Sequence, residues 1–135
     1  MGATETVQLG TIGQIAVNAK DIGRAVRFYR DILGMRLLFE APPQMAFFDC
    51  GGVRLMLGVA SEPAYDHPAS IIYYRVDDIQ TAHRILSGRG VAFKTAPHLV
   101  ARLPDHDLWL ANFRDPEGNV LALMSEVRPP SAPRT

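Results

Sequence analysis

One pattern runs twice along this chain, and it limits the fold more than any other feature. Asp21-Ile22 opens a helical stripe and recurs as Asp78-Ile79, and Ala25 recurs as Ala82. The offset is about 57 residues, the scale of a whole supersecondary unit. In the first copy Ile15, Val17 and Ala19 alternate with Gln14, Ala16 and Asn18, which predicts a strand from Thr11 to Ala19 with unlike faces. Asp21 can accept from the orphan amides of a helix start. Ile22, Ala25, Val26, Tyr29, Ile32 and Leu33 then form one stripe, predicting a helix from Ile22 to Leu33 that Gly34 ends. Three short strands follow: Met35 to Phe39, Gln44 to Asp49, and Val53 to Gly58. Pro42-Pro43 separates the first two and Gly51-Gly52 joins the last two.

The second copy begins after a Pro-containing linker, Val59 to Ala69. Ser70 to Val76 reads as a strand, and Asp77 or Asp78 caps a helix from Ile79 to Ser87 with Ile79, Ala82, Ile85 and Leu86 inward. Val91 to Lys94 reads as a strand and Thr95 to Asp107 as a long loop. Two apolar runs, Leu108 to Phe113 and Asn119 to Met124, flank Asp115-Pro116-Glu117-Gly118. In that turn the Asp bonds back to the backbone, Pro presets φ and Gly tolerates positive φ. Met1 to Gly10 reads as a loose end, and the Pro-rich stretch after Glu126 as a disordered tail.

The result is an α+β chain of two tandem βαβββ modules, forming one curved mixed-sheet trough with helices on the convex face. Module one covers about residues 11–58, the linker 59–69, module two about 70–126 and the tail 127–135, all within one domain. Alternation assigns Ile15, Val17, Ile72, Tyr74, Leu121 and Leu123 to the convex face. Gln14, Ala16, Asn18, Ile71, Tyr73, Arg75, Val120, Ala122 and Met124 go to the concave face.

Composition narrows the function. Basic and acidic residues balance at 14 each, which disfavours nucleic acid as a partner. No apolar run reaches membrane-spanning length, and the N-terminus lacks a secretory pattern. A cytoplasmic location is the expectation, and the single Cys, Cys50, fits a reducing compartment as a small packing residue.

The chain resembles the vicinal oxygen chelate superfamily, which includes glyoxalase I, extradiol dioxygenases and bleomycin-resistance proteins. The matching stretches are Ile15 to Ile22, Ala25 to Gly34 with its Phe-Tyr-x-x-x-Leu-Gly ending, Tyr74 to Ile79, and Phe113 to Asn119 around Asp-Pro-Glu-Gly. The resemblance implies a small-molecule partner and a homodimer. In metal-dependent members a His on the first strand of each module and a Glu on last strands hold a divalent ion. Those positions fall here at Gln14, Ile71 and Ala122, and Val53 to Gly58 contains no acid. The expectation is therefore no metal and no cofactor.

The loop from Pro97 to Trp109 concentrates polar groups before a core strand. His98, Asp105 and His106 are the catalytic candidates, although in an extended chain Asp105 and Asp107 would point away from His106. Gln14, Asn18, Tyr73, Arg75, Arg102, Trp109, Ala122 and Met124 are candidate ligand-binding residues; Arg75 could hold a carboxylate or phosphate and Tyr73 offers an aromatic wall. The favoured reading is a metal-free, largely apolar trough for a small organic ligand, acting as a binder or as an enzyme. The alternatives are a metal-dependent lyase, isomerase or dioxygenase with ligands relocated to His98, Asp105, His106 or Asp107, and a drug-sequestering resistance protein.

Overall fold

The computed structural model of the chain describes residues 6–41 and 44–128. Module one comprises strand β1 (Gln14–Asn18), helix α1 (Ile22–Arg27), and strands β2 (Arg36–Ala41), β3 (Met45–Cys50) and β4 (Val53–Gly58). Module two repeats it with β5 (Ile72–Arg75), α2 (Ile79–Gly88), β6 (His98–Arg102), β7 (Asp107–Arg114) and β8 (Val120–Val127). The two four-stranded sheets have the same order, β1-β4-β3-β2 and β5-β8-β7-β6. In each, the first strand joins the last in parallel and the other pairs are antiparallel. The crossover helix of each module packs on its own sheet, α1 on β3 and β4, α2 on β7 and β8.

Strand alternation sorts the side chains as the sequence implies. Val17, Ala46, Phe48, Leu55 and Leu57 of module one are buried under the helices, as are Ala111, Phe113, Leu121 and Leu123 of module two. They form one continuous core across both modules. Asp21 and Asp78 cap the two helices, accepting from Arg24 N and Thr81 N. Gly34, Gly51, Gly52, Gly90 and Gly118 all take positive φ, and at Gly51-Gly52 that conformation closes the β3–β4 hairpin.

Three expectations need correction. The first helix is α-helical only to Arg27 and then widens into a π-helical stretch, Phe28–Ile32. The backbone bond from Leu33 N to Phe28 O, 2.9 Å, marks the wider turn. Phe28 thereby joins Tyr29 in the core, and Phe28 was not on the expected stripe. Second, Val91 to Lys94 is no strand. Phe93 makes a single bridge to Phe113, and its ring packs between His83 and Phe113. The third strand of module two is instead β6, inside the expected loop. Leu103 N donates to His106 O across Pro104-Asp105, so this stretch is a hairpin turn between β6 and β7. Third, β8 runs past Glu126 to Val127, which pairs with Asp107. Residues 129–135 of the expected tail, the Pro42-Pro43 break and the first residues of the expected loose end lie outside the described residues.

The Asp-Pro-Glu-Gly turn does more than reverse the chain. Asp115 is 5% exposed and accepts from Glu117 N, Asn119 N and Asn119 Nδ2 at 2.9, 2.8 and 2.8 Å. Its Oδ2 also accepts the hydroxyl of fully buried Tyr29 at 2.7 Å, tying module two to α1. Burial, and then the Asp115 carboxylate, push the Tyr29 phenol well above its ordinary range. Glu117 reaches the other end of α1. Its carboxylate accepts from Lys20 N, Asp21 N and Arg24 Nη2 at 2.7, 3.1 and 2.9 Å. Burial alone would raise the Glu117 carboxyl; those donors outweigh it and lower it. Asn119 Nδ2 donates to Asn18 O, and Arg89 at the end of α2 donates to Ile32 O at 2.8 Å.

Candidate functional site

Each sheet keeps one face away from the helices, and the candidate site residues divide between these two open faces. On module one the open face carries Gln14, Ala16 and Asn18 of β1, Arg54, Met56 and Gly58 of β4, and Met45 and Phe47 of β3, as the strand registers require. Arg54 organises one end. Its Nε donates to Gln14 Oε1 at 2.9 Å and its guanidinium lies 5.3 Å from the Phe47 ring centroid. Phe47 in turn stacks on Phe39 at 4.6 Å.

The other end is a cavity. Ala16, Met45, Met56, Gly58, Tyr65 and Ala69 supply most of its apolar lining, and its volume is about 320 Å³. The linker forms its outer wall as a strap, with a 3₁₀ turn at Pro63–Tyr65. Asn18 holds the strap in place, since its Nδ2 donates to the carbonyls of Tyr65 and His67. Asn18 therefore lines the cavity but has its amide hydrogens committed, a role that alternation along β1 could not reveal.

On module two the open face carries Tyr73 and Arg75 of β5, Ala122, Met124 and Glu126 of β8, and Leu108, Leu110 and Asn112 of β7. Its far end is charged. His106 Nδ1 lies 2.8 Å from Asp105 Oδ1, and Asp105 Oδ2 accepts from Arg128 at 2.9 Å. Those two bonds, Arg128 first and His106 second, hold the Asp105 carboxyl down at about 2. His106 Nε2 faces Glu126 Oε2 at 3.9 Å, and the same oxygen is 3.6 Å from Arg75. The structure thus brings together Arg75, Asp105 and His106, three residues singled out from sequence. It adds two that sequence reasoning missed, Glu126 and Arg128. The signal for Glu126 was present: it continues the Val120, Ala122, Met124 alternation by one more step. The expected divergence of Asp105 from His106 fails because the two sit in a turn, where neighbouring side chains can meet.

The remaining candidates scatter. Trp109 faces the helices, packed against the shared core, which removes it from the open face. Ala122 is on the open face but fully buried, between Tyr73 and Asn112. Tyr73 is 47% exposed there. His98 turns its Nδ1 to Ala96 O at 2.9 Å, and Arg102 is exposed at the end of β6 beside Asp107. Cys50 is half-buried at the end of β3, and burial, then Asp49, raise its thiol, as suits a packing residue.

The donor set does not fit a metal at the positions implied by the resemblance. Ile71 and Ala122 have no donor atom, and Gln14 Oε1 already accepts from Arg54. Among the described residues no group of three or more His, Cys, Asp or Glu side chains is arranged to hold an ion. The His98–Asp105–His106–Asp107 set proposed for relocated ligands does not form such a group.

Two tandem βαβββ modules with open sheet faces define a known class of small α+β protein, and comparison with known proteins agrees. The sequence model of the Glyoxalase/Bleomycin resistance protein/Dioxygenase superfamily matches residues 11–123. The chain belongs to that superfamily. A Bacillus subtilis (strain 168) protein described as uncharacterized, YraH, is 25% identical over 126 residues, covering 82% of this chain and 94% of its own. A glyoxalase/bleomycin resistance protein/dioxygenase from Nocardioides superposes with a TM-score of 0.72 at 24% identity, covering 97% of this chain and 95% of that one. A lactoylglutathione lyase from Agrobacterium tumefaciens superposes with a TM-score of 0.71 at 21% identity, covering 87% and 95%. At these identities the structural likeness speaks for the fold alone. No described helix is long and apolar enough to cross a membrane.

Proposed function

We propose that this protein binds a small organic ligand on its open sheet faces without a metal ion. The observation that carries this reading is the module-one cavity beneath the strap. It is concave and mostly apolar, and its volume of about 320 Å³ lies within the range of small-molecule sites. The unsuitable donor set at Gln14, Ile71 and Ala122 supports binding without an ion, because family chemistry of the usual kind needs a Lewis acid.

The functional species is a homodimer. The support is the apolar surface left open on the sheets and at their edges: Phe39 is 48% exposed, Leu38 41%, Met45 38% and Ile71 46%. A second copy of the same chain would cover it, with two-fold symmetry the simplest arrangement. The balanced charge and the lone Cys50 support a cytoplasmic protein with neither nucleic acid nor membrane as partner.

A thermal-shift screen of small apolar and aromatic acids against the wild type and Ala16→Phe tests the pocket. Hits are expected to stabilise the wild type and to lose their effect when Ala16→Phe fills the cavity. Hits equally strong on both proteins would place binding elsewhere. Elemental analysis after incubation with nickel, zinc, manganese and iron, followed by desalting, tests the metal-free reading; one retained ion per chain would overturn it. Light scattering on a sizing column reads the oligomeric state.

A further inference from the structure

The two crossover helices do not seal their sheets equally, and the repeat shows where they differ. At the offset of about 57 residues Ala25 matches Ala82 and Phe28 matches Ile85. In module one both positions are buried, and the Phe28 ring packs toward Phe113. In module two Ala82 is half-buried and Ile85, with less bulk than a Phe, is 39% exposed. A cavity of about 390 Å³ opens at this place, larger than the one beneath the strap. Leu33 and Met35 of module one border it, with Ile85 and Leu86 of α2 and Phe113 and Leu123 of the second sheet.

The charge on this apolar lining has one sign. Arg75 and Arg89 line the cavity, and no Asp or Glu does. Arg75 turns its guanidinium to Glu126 on the open face, 3.6 Å away, which leaves Arg89. Arg89 falls where the first copy carries Ile32 and Leu33, so a cation replaces an apolar side chain. It directly follows α2, and its Nη1 donates to Ile32 O at 2.8 Å. The guanidinium thus reaches from the end of α2 to the residue beside Leu33, which sets it at one end of the cavity. That bond uses one of five N–H groups. The Nε–Nη2 edge has no partner among the described residues, a carboxylate included. Such an edge fits a carboxylate with two parallel bonds. An exposed arginine contributes little affinity by itself. The apolar lining supplies the rest, at about fourfold for each methylene it removes from water.

We propose that this cavity binds a small amphipathic carboxylic acid, with the apolar chain against Met35, Ile85 and Leu86 and the carboxylate on Arg89. The site lies on the helix side of the sheets, whereas the strap cavity lies on an open face. Either reading can fail without the other.

The test follows the methyl groups of the intact ¹³C-methyl-labelled protein by NMR at neutral pH. The probes are octanoate, butanoate and octylamine, added separately. Octanoate is expected to shift the methyls of Met35, Ile85, Leu86 and Leu123 saturably in the millimolar range or below, with Met45 and Met56 of the strap cavity unmoved. Butanoate, four methylenes shorter, and octylamine, with the same chain and the opposite charge, are each expected to bind more than about tenfold more weakly. R89Q is expected to bring octanoate down to the level of octylamine. Ile85→Phe restores the bulk found in module one and is expected to weaken octanoate about tenfold or more. Backbone amide spectra establish that both variants remain folded. Any of three outcomes would overturn the proposal: octanoate leaves the four methyls still or moves Met45 and Met56 instead, octylamine binds as well as octanoate, or folded R89Q keeps the full octanoate affinity.

Discussion

Replacing Tyr29 by Phe removes one hydroxyl from the centre of the molecule and tests how the modules are joined. The lost bond is short, 2.7 Å, and runs from a fully buried phenol to the carboxylate of Asp115, itself 5% exposed. Hydrogen bonds to charged groups contribute about 1.5–3 kcal/mol. Phe fills nearly the same space, so no cavity term adds to this. The carboxylate keeps Glu117 N, Asn119 N and Asn119 Nδ2 as donors, so it is not orphaned. The lower part of the range applies, about 1.5–2 kcal/mol. For a chain of this size that corresponds to a fall in Tm of about 5–8 °C. Urea unfolding followed by Trp109 fluorescence measures it directly. Asp115→Asn is the companion variant. An amide must turn its NH₂ toward at least one of four donors, and the expected cost is larger, about 3 kcal/mol or more. A Tyr29→Phe protein within about 0.5 kcal/mol of wild type would refute the argument that this bond stabilises the joint.

Other perturbations follow from the same geometry. Glu117→Ala strips the carboxylate that caps Lys20 N and Asp21 N, and is expected to destabilise by about 1–2 kcal/mol in the same urea assay. Tyr74→Phe should be neutral or stabilising by up to about 1 kcal/mol, because the buried Tyr74 hydroxyl has no hydrogen-bond partner among the described residues. Asp105 has a lowered pKa, about 2, so its pairing with Arg128 and His106 is fully present above the ordinary carboxylate value, about 4, and is lost as pH falls through 2. Carbon-detected NMR of the Asp105 carboxyl reads that midpoint, and Arg128→Gln is expected to move it upward.

Most of the fold was legible because local signals agreed with one another. Alternation along β1, β5 and β8 assigned both faces correctly, and the caps at Asp21 and Asp78 fell where the helices start. The strand β6 was not legible. His98 to Arg102 carries little apolar alternation, and what makes it a strand is pairing with β7, which follows across a short turn that the sequence reads as part of an open loop. The π-helical stretch was hidden for a similar reason, since Phe28 and Tyr29 are buried together by contacts with Phe113 and Phe48 that no helical stripe encodes. At the site, single residues were legible and their grouping was not. Arg75 and His106 are 31 positions apart in the sequence and meet only through Glu126. The turn at Pro104-Asp105, read as an open loop, is what swings His106 over that strand end.

Helix α1 and its π extension are fastened to module two at both ends, by Glu117 at the start and by Arg89 at Ile32. Tyr29 and Asp115 make a third attachment between them. A beam held at three points cannot swing, so the two sheets have no hinge at which to open or close around a guest. Accommodation falls to the strap over the module-one cavity, whose attachment is the Asn18 amide. In hydrogen exchange the amides of 59–69 should therefore open independently and early. Those of β4, beneath the clamped α1, and of β8, beneath α2, should exchange only with the whole molecule.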